Sequence, residues 1–481
     1  MKFLLRKKSE RKARAASQGT LIGYASHENQ PTPFRLLPEH LRDHSLMLGN
    51  LGVGKTTMMR HLGKAVIQSG AALIVLDEEG DLVPDVLTQI PRQRAQDVTW
   101  VDLNHPSLIP GWNILDVSEG DTSDQIIAGL MHTAPELWGH YWDARTEDAL
   151  RMGLVTLLSA NRILAQKNEA QFTLLDLPPL FELPHFRHRT LQSFVSDLDV
   201  ISWWSGYFER WTPSMVAELT TTLLIPFRQL SFNQTTRNLL GQSASTLKLG
   251  DWLKPGRISL IDTSGLAMTS DLRHWLTTIL MERITRMACV KQHASSGNSE
   301  LSVVVAFNGA IPTACAEDPD WLSYLRKYGV SVILSSSSLD HLQIDHPGLS
   351  QTLLANTENL FAFRTGYSDA EMLSIEFGKS ISARDLTQLP DYTCYVKTRE
   401  HNAQPRMERI ETLAPEKGDA QVRQEGLEPI KPCGRNIADV ESERTNFMEK
   451  WYGRERGMLS QLFRDQSEMT KPSQRDRFAN P

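Results

Sequence analysis

The stretch Gly49-Asn50-Leu51-Gly52-Val53-Gly54-Lys55-Thr56 decides the fold, and it directly follows the apolar run Ser45-Leu46-Met47-Leu48. It fills every fixed position of the pattern GxxxxGK[ST], in which glycines let backbone N–H groups curl around phosphates. We expect Lys55 to reach the terminal phosphates, and the Thr56 hydroxyl to ligand Mg²⁺ at a helix start that includes Thr57. The alternative is a chance Gly-rich turn between a strand and a helix. We therefore predict that residues 49–57 bind ATP together with Mg²⁺.

Composition indicates an ordinary globular protein. The chain has 481 residues, of which 40% are hydrophobic, enough for two or three domains at about 100 to 200 residues each. Its four cysteines are widely scattered, so they predict neither a disulfide framework nor a zinc site and favour a reducing cytoplasm. No apolar stretch approaches the roughly 18 to 20 residues that span a bilayer. We expect no membrane span and a cytoplasmic location.

The amino terminus is strongly basic. Residues 1–14 carry a local charge of +6, although the whole chain has a formal charge of −6. A basic arm over residues 1–20 could contact nucleic acid, or attach the protein peripherally to the inner face of an anionic cell membrane. A solvated, disordered terminus explains the same charge, and all three interpretations remain open.

Strands and helices alternate on both sides of a helical stretch. Residues 21–120 predict a helix over Thr57–Ser69 and strands over Ala71–Leu76 and Val98–Leu103. Residues 251–414 resume this alternation, with expected strands at Arg257–Ile261, Ser302–Ala306, Val330–Leu334 and Leu360–Phe363 and helices at Asp271–Val290 and Trp321–Lys327. Such alternation predicts an α/β fold with a mostly parallel sheet, whose ligand site lies at the carboxyl ends of the strands.

Residues 121–250 have helical periodicity and predict an all-α domain inserted into the α/β core. Tryptophans crowd there, and we interpret most of them as core and a few as stacking or interface anchors: Trp138, Trp142, Trp203, Trp204 and Trp211. Residues 415–481 predict a charged tail. One or two short amphipathic helices in it dock on a partner or fold back, and their apolar positions are Phe447, Met448, Trp451, Met458, Leu459, Leu462 and Phe463.

Several segments in a shared order resemble the type IV secretion coupling proteins of the TraG/TraD group and the related HerA-type DNA translocases. The resemblance runs from about Phe34 to Ile410. Besides the phosphate loop, the segments that carry it are Leu76-Asp77-Glu78-Glu79-Gly80-Asp81-Leu82-Val83, Trp112-Asn113-Ile114-Leu115-Asp116, Trp138-Gly139, Arg145-Thr146-Glu147-Asp148-Ala149-Leu150, Leu240-Gly241-Gln242 and Leu325-Arg326-Lys327-Tyr328-Gly329.

This resemblance implies a RecA-like P-loop NTPase core with an inserted all-α domain. It also implies a hexameric ring, with ATP between subunits and DNA bound without sequence preference in the centre. Family members pump DNA towards a secretion channel, which implies relaxase and channel components as partners. Many have N-terminal transmembrane helices, and this sequence shows none.

Three positions depart from the family pattern. The resemblance places a pair of catalytic acids at the end of a strand that here reads Val303-Val304-Val305-Ala306-Phe307-Asn308, so we expect Ala306 and Phe307 to replace both acids. A phosphate-sensing glutamine has its counterpart at Ser337. Arg326 remains where the resemblance implies an arginine that reaches a neighbouring subunit's ATP. The expectation is ATP binding with weak or no hydrolysis.

The segment after the second predicted strand offers an alternative metal site. Asp77 or Glu78 follows Leu73–Leu76 as a metal-binding carboxylate would, with Glu79 and Asp81 nearby. The simpler interpretation is a polar turn before a helix.

Three functions stay open. The chain resembles a coupling ATPase that moves or docks DNA at a secretion channel. The alternative is a non-hydrolysing ATP-binding scaffold or a subunit of a mixed ring, and a further alternative is a HerA-like translocase in DNA repair or phage defence.

Overall fold

The computed structural model describes residues 19–27, 30–265, 268–294, 302–309, 311, 320–340, 342, 348–399, 405–414 and 430–453. The basic arm at residues 1–14 and the apolar positions from Met458 to Phe463 lie outside the described residues. The chain forms two compact units, one of residues 1–105 and 248–433 and one of residues 106–247 and 434–481. We call them the sheet unit and the helical unit.

The sheet unit contains eleven strands: β1 (Thr20–His27), β2 (Gln30–Leu36), β3 (Ser45–Leu48), β4 (Ala72–Asp77), β5 (Val98–Asp102), β7 (Ile258–Asp262), β8 (Val303–Asn308), β9 (Val330–Ser336), β10 (Asn359–Ala362), β11 (Thr393–Thr398) and β12 (Arg406–Thr412). In the helical unit, β6 (Leu108–Ile109) pairs with β13 (Arg435–Asn436).

The helices of the sheet unit are α1 (Lys55–Ser69), α2 (Leu82–Leu87), α10 (Leu249–Trp252), α11 (Ser270–Ala294), α12 (Trp321–Lys327), α13 (Leu349–Asn356), α14 (Tyr367–Glu376) and α15 (Ala383–Thr387). Those of the helical unit are α3 (Ser123–Trp138), α4 (Ala144–Gln166), α5 (Leu177–Glu182), α6 (Pro184–Phe194), α7 (Leu198–Ser202), α8 (Pro213–Phe232), α9 (Gln234–Leu240) and α16 (Ile437–Tyr452).

The strands of the sheet unit form one sheet in the order β2-β1-β12-β11-β10-β3-β9-β8-β4-β7-β5. The seven strands from β10 to β5 are mutually parallel, and the other four pair in antiparallel fashion. All residues of β3, β4 and β8 are buried, as continuous apolar runs in a sheet covered on both faces should be. The predicted α/β fold with a mostly parallel sheet is confirmed.

The centre of the parallel region positions the phosphate loop. β3 lies between β10 and β9, with Leu48 paired to Ala362 and Ser336. The carboxyl ends of β9, β8 and β4 therefore lie in succession on one side of the loop, and β10 and β11 lie on the other. This order determines which side chains face each end of a ligand held by the loop.

The helical unit begins earlier than the expected boundary at residue 121, and it includes residues from the expected tail. The family segments Trp112–Asp116 and Leu240–Gln242 lie near the two ends of the helical unit, and each contributes a buried side-chain amide. Asn113 Nδ2 donates to the carbonyls of Phe172 and Ser243 at 3.1 and 3.2 Å, and Gln242 Nε2 donates to the Pro110 carbonyl at 2.9 Å. These segments satisfy buried backbone groups and so stabilise the unit.

The described part of the tail contains the short strand β13 and the helix α16, and it packs within the helical unit. Its Trp451 is 5% exposed, and its ring centroid lies 4.9 Å from that of Phe172. The Tyr452 hydroxyl donates to the buried Asp176 carboxylate.

Of the five tryptophans that the sequence places in the helical domain, Trp138 and Trp204 are buried, and the others are partly exposed. None of the helices that the structure describes is long and apolar enough to cross a membrane.

Candidate nucleotide site

The phosphate loop connects β3 to α1 and contains two left-handed glycines. Gly52 has φ +78° and Gly54 has φ +107°, a region that residues with a Cβ rarely adopt. An ideal Cβ at Gly54 would lie 2.8 Å from Cδ1 of Tyr392, so this glycine is required sterically as well. The spacing of glycines in the motif is thus explained by backbone conformation and by one close aromatic neighbour.

Lys55 folds back onto the loop. Its Nζ donates to the carbonyls of Gly49 at 2.6 Å and Asn50 at 2.9 Å. Burial lowers the pKa of the Lys55 ammonium, and the negative charge of Glu79 opposes this shift. The ammonium therefore sits at the loop, as the sequence predicted for a group that meets phosphate oxygens.

A cleft of about 460 Å³ opens over the loop. It is lined by Leu51, Gly52, Gly54, Lys55, Thr56, Thr57, Glu79, Asp81, Asn308, Gly309, Ile311, Ser335, Ser336, Ser337, Ser338, Leu342 and Tyr392. Of the other predicted loop residues, Val53 is buried in the core and Asn50 is exposed. The structure thus brings together the loop, Thr56, Thr57 and Ser337 around one cleft.

Asp77 ends β4, and its carboxylate is fully occupied by protein donors. Oδ2 accepts from the backbone N–H groups of Leu82 and Val83 at 2.9 and 2.8 Å, at the start of α2. Oδ1 accepts from Gly80 N–H at 2.9 Å and from Asn308 Nδ2 at 2.8 Å. Burial raises the pKa of this carboxyl, although the hydrogen bonds oppose the shift. The geometry fits the polar turn and gives Asp77 a structural role.

The carboxylates after Asp77 differ in position. Glu78 Oε1 accepts from Thr277 Oγ1 at 3.1 Å, on the face of α11. Glu79 and Asp81 are exposed and line the cleft. Desolvation by the cleft wall and the charge of Asp81 raise the pKa of the Glu79 carboxyl, whereas Lys55 lowers it. Of the two alternative metal ligands, neither Asp77 nor Glu78 lines the cleft.

The positions expected to replace the catalytic acids, Ala306 and Phe307, lie two residues before the residues that line the cleft at the end of β8. Ala306 and Phe307 are 3% and 2% exposed, and neither lines the cleft. The residues that line the cleft at this strand end are Asn308 and Gly309. The strand runs two residues further than expected, so the expected acid positions at 306 and 307 point into the protein. The cleft still lacks an acid at this strand end.

Gly309 leaves no room for an acidic side chain. Its φ is +141°, and an ideal Cβ would lie 2.7 Å from Cβ of Glu78. Asn308 Nδ2 donates to Asp77 Oδ1 at 2.8 Å and to Asp81 Oδ1 at 2.6 Å. A neutral amide thus joins two carboxylates here. Within the described ranges, no group of three or more His, Cys, Asp or Glu residues is arranged to hold a metal ion.

Arg326 lies at the opposite end of the sheet from the phosphate loop. It precedes β9, whereas the loop follows the parallel strand β3. Its guanidinium is 45% exposed and lies 3.9 Å from Glu358, which precedes β10. Arg326 therefore stands outside the set of residues that line the cleft of its own chain.

Sequence reasoning missed Asn308, Gly309 and Tyr392 as cleft residues. Asn308 carried a signal, since it is the first polar residue after the apolar run of β8. The sequence gives little signal for Tyr392, because the position of this residue against the loop depends on the pairing of β11 with β10. Its backbone N–H donates to the Val53 carbonyl at 2.9 Å.

Residues 33–136 match a family model described as the type IV secretion-system coupling protein DNA-binding domain. No curated protein matches the chain. One similar solved structure is the bacterial conjugative coupling protein TrwBdeltaN70 in an unbound form, 15% identical, with 82% of this chain and 90% of that chain covered and a TM-score of 0.51.

Two further structures share the fold. The plasmid coupling protein TrwB in complex with the non-hydrolysable GTP analogue GDPNP is 15% identical, with 79% of this chain and 87% of that chain covered and a TM-score of 0.52. VirB4 of Thermoanaerobacter pseudethanolicus is 14% identical, with 82% and 97% covered and a TM-score of 0.50. At these identities the structures establish the fold alone. Together with the family-model match, they confirm the resemblance of this chain to the type IV secretion coupling protein family.

Proposed function

We propose that this chain binds a nucleoside triphosphate, ATP in the first instance, on the loop at residues 49–57, and hydrolyses it weakly or not at all. The observation that carries the proposal is an intact phosphate loop facing Asn308 and Gly309 instead of two acids. The left-handed glycines, Lys55 at the loop and the 460 Å³ cleft fit a bound triphosphate. The related TrwB structure that holds a GTP analogue supports the same use of the fold.

The weak hydrolysis follows from what the cleft offers to water and metal. A hydrolysing site needs one carboxylate for the Mg²⁺ hydration shell and one to orient the attacking water. Asn308 carries no charge, and Gly309 has no side chain and no space for one. Mg²⁺ would be held by the Thr56 hydroxyl and the phosphates, with Glu79 and Asp81 as the carboxylates in the cleft wall. When bound, Mg²⁺ would neutralise phosphate charge.

The wider role that fits this site is that of a coupling protein that docks or moves DNA at a type IV secretion channel. The family-model match to a coupling-protein DNA-binding domain supports DNA and secretion-system components as partners. A relaxase among these partners is part of the proposal. Sequence-independent contacts to phosphates would make DNA binding sensitive to salt. Residence in the cytoplasm, with peripheral contact at the membrane, is part of this proposal.

The position of Arg326 favours one variant of this role. Its guanidinium is 45% exposed beside Glu358 and is not among the residues that line the cleft of its own chain, which fits a role at a neighbour's nucleotide in a hexameric ring. A chain with a silent site and an arginine of this kind suits a mixed ring with an active paralogue. A HerA-like repair or defence translocase is the remaining alternative, and a nuclease gene beside this one would favour it.

Titration calorimetry with ATP and Mg²⁺ tests the proposal. Wild type should bind ATP, and Lys55→Ala should weaken binding by at least tenfold, because the ammonium that meets the phosphates is gone. Lys64→Ala, on the same helix but outside the cleft, is the matched control and should bind as wild type does. Absence of ATP binding by wild type, or equal binding by Lys55→Ala, would contradict the proposed nucleotide site.

A further inference from the structure

Tyr392 has an unusual backbone conformation directly beside the phosphate loop. Its φ is +58°, a left-handed value that is rare for a bulky residue. Two backbone hydrogen bonds hold it there: its N–H donates to Val53 O at 2.9 Å, and its carbonyl accepts from Thr412 N–H at 2.7 Å. Such outliers persist where the surrounding structure fixes them, and they concentrate at ligand sites.

The turn that carries Tyr392 is connected to the phosphate loop at a second point. Asn50 N–H donates to the Arg364 carbonyl at 2.8 Å, and the Arg364 guanidinium pairs with Asp391 at 2.7 Å. The loop and the turn are therefore fixed together. The position of the Tyr392 ring relative to the loop is set by the fold before any ligand arrives.

The ring of Tyr392 covers Gly54 and faces the cleft. An ideal Cβ at Gly54 would lie 2.8 Å from Cδ1 and 3.3 Å from Cε1 of the ring. Tyr392 is 39% exposed, and among the described residues that line the cleft it is the one aromatic residue. A flat apolar surface is thus available to a ligand bound on the loop.

The strand order indicates which end of a nucleotide meets this ring. Glu79 and Ser337 follow β4 and β9, and Asn308 ends β8, all on one side of β3. This is the polar side, which suits the terminal phosphate. Tyr392 precedes β11 on the other side, beyond β10. A nucleotide whose phosphates occupy the loop therefore directs its nucleoside towards Tyr392.

We propose that Tyr392 forms the nucleoside side of the site and stacks its ring against the base or ribose of the bound nucleotide. This inference rests on the proposed function, since it requires the phosphates to bind the loop. Stacking on a ring face is tolerant of base identity. The chain should accordingly bind ATP and GTP with similar affinity, and both more tightly than inorganic tripolyphosphate.

The test compares ATP with inorganic tripolyphosphate for Tyr392→Asn, Tyr392→Phe and wild type, in the full chain with Mg²⁺. Asparagine tolerates a left-handed φ, so Tyr392→Asn removes the ring without adding backbone strain. We expect it to weaken ATP binding about tenfold, the size of one lost stacking contact, and to leave tripolyphosphate binding unchanged. Tyr392→Phe keeps the ring and should match wild type for both.

The thermal midpoint of Tyr392→Asn should equal or exceed that of wild type, which separates lost stacking from a damaged fold. Unchanged ATP affinity in Tyr392→Asn, or an equal loss for ATP and tripolyphosphate, overturns the role of the ring while leaving the nucleotide site standing. If wild type binds neither ligand, the proposed function itself fails, and the role of Tyr392 fails with it.

Discussion

Replacing Asn308 with aspartate tests how the cleft holds its carboxylates. Asn308 and Asp are nearly the same size, so the change exchanges one NH₂ group for a charged oxygen. That NH₂ donates to the buried Asp77 at 2.8 Å and to Asp81 at 2.6 Å. In Asn308→Asp both donations are lost, and a third carboxylate faces the first two.

The free energy of unfolding that Asn308→Asp loses depends mainly on the buried carboxylate of Asp77. A hydrogen bond to a charged group contributes about 1.5–3 kcal/mol, and this applies to Asp77, which is 0% exposed. Asp81 is exposed, so its share is screened and adds less than about 1 kcal/mol. With the added repulsion, we expect a loss of about 3 kcal/mol, or roughly 5 °C in thermal midpoint for a unit made of residues 1–105 and 248–433.

The assay is thermal unfolding at pH 7 in EDTA and again in 10 mM Mg²⁺. Asn308→Asp should recover part of its midpoint in Mg²⁺, because the cation can join adjacent carboxylates. Asn308→Ala removes the hydrogen-bond donors without adding charge. Its unfolding midpoint should fall less than that of Asn308→Asp, and Mg²⁺ should not raise it specifically. An Asn308→Asp protein that unfolds at the wild-type temperature in EDTA would refute the role assigned to the amide.

Three other predictions concern stability. Burial lowers the pKa of His44 to about 4, below the ordinary value of 6.5, so the stabilisation present above pH 6.5 is lost as pH falls towards 4; about 2 kcal/mol should be gone at pH 5. Unfolding midpoints of wild type and the non-titrating His44→Gln at pH 7 and pH 5 check this, and equal pH slopes would contradict it. Asp77→Ala should lower the midpoint equally with and without Mg²⁺-ATP, because four protein donors lose their acceptor; an effect confined to the loaded protein would indicate a metal ligand instead. Trp451→Ala should destabilise the helical unit by about 3–5 kcal/mol, measured by unfolding against the exposed control Tyr207→Ala, and equal midpoints for the two variants would show that α16 packs weakly.

The centre of the parallel half of the sheet could be predicted because β3, β4 and β8 are buried, largely apolar runs. β3, β4, β8 and β9 all lie where the sequence placed them, within two residues at either end. The antiparallel half was missed for a physical reason. β1 pairs with β12 across most of the chain, with Gly23 opposite Thr412, and such long-range pairing leaves no local signal.

The loop and its glycines were predictable from a motif whose chemistry dictates its spacing. The wall of the cleft at the end of β8 was predicted less well, because β8 is buried on both faces. Without alternation between polar and apolar residues, only Asn308, the first polar residue after the apolar run, marks the end of the strand. The expected positions therefore fell on Ala306 and Phe307, two residues before the side chains that face the cleft. The corrected positions also lack an acid pair, since Asn308 and Gly309 are not acids either.

The central claim is that the chain holds ATP without turning it over at a useful rate. The most direct measurement is phosphate release at saturating ATP and Mg²⁺, with DNA present, by wild type and Lys55→Ala prepared identically. Wild type and Lys55→Ala should release phosphate at the same background rate, although wild type binds ATP at least tenfold more tightly. Brisk phosphate release by wild type that Lys55→Ala abolishes would contradict it.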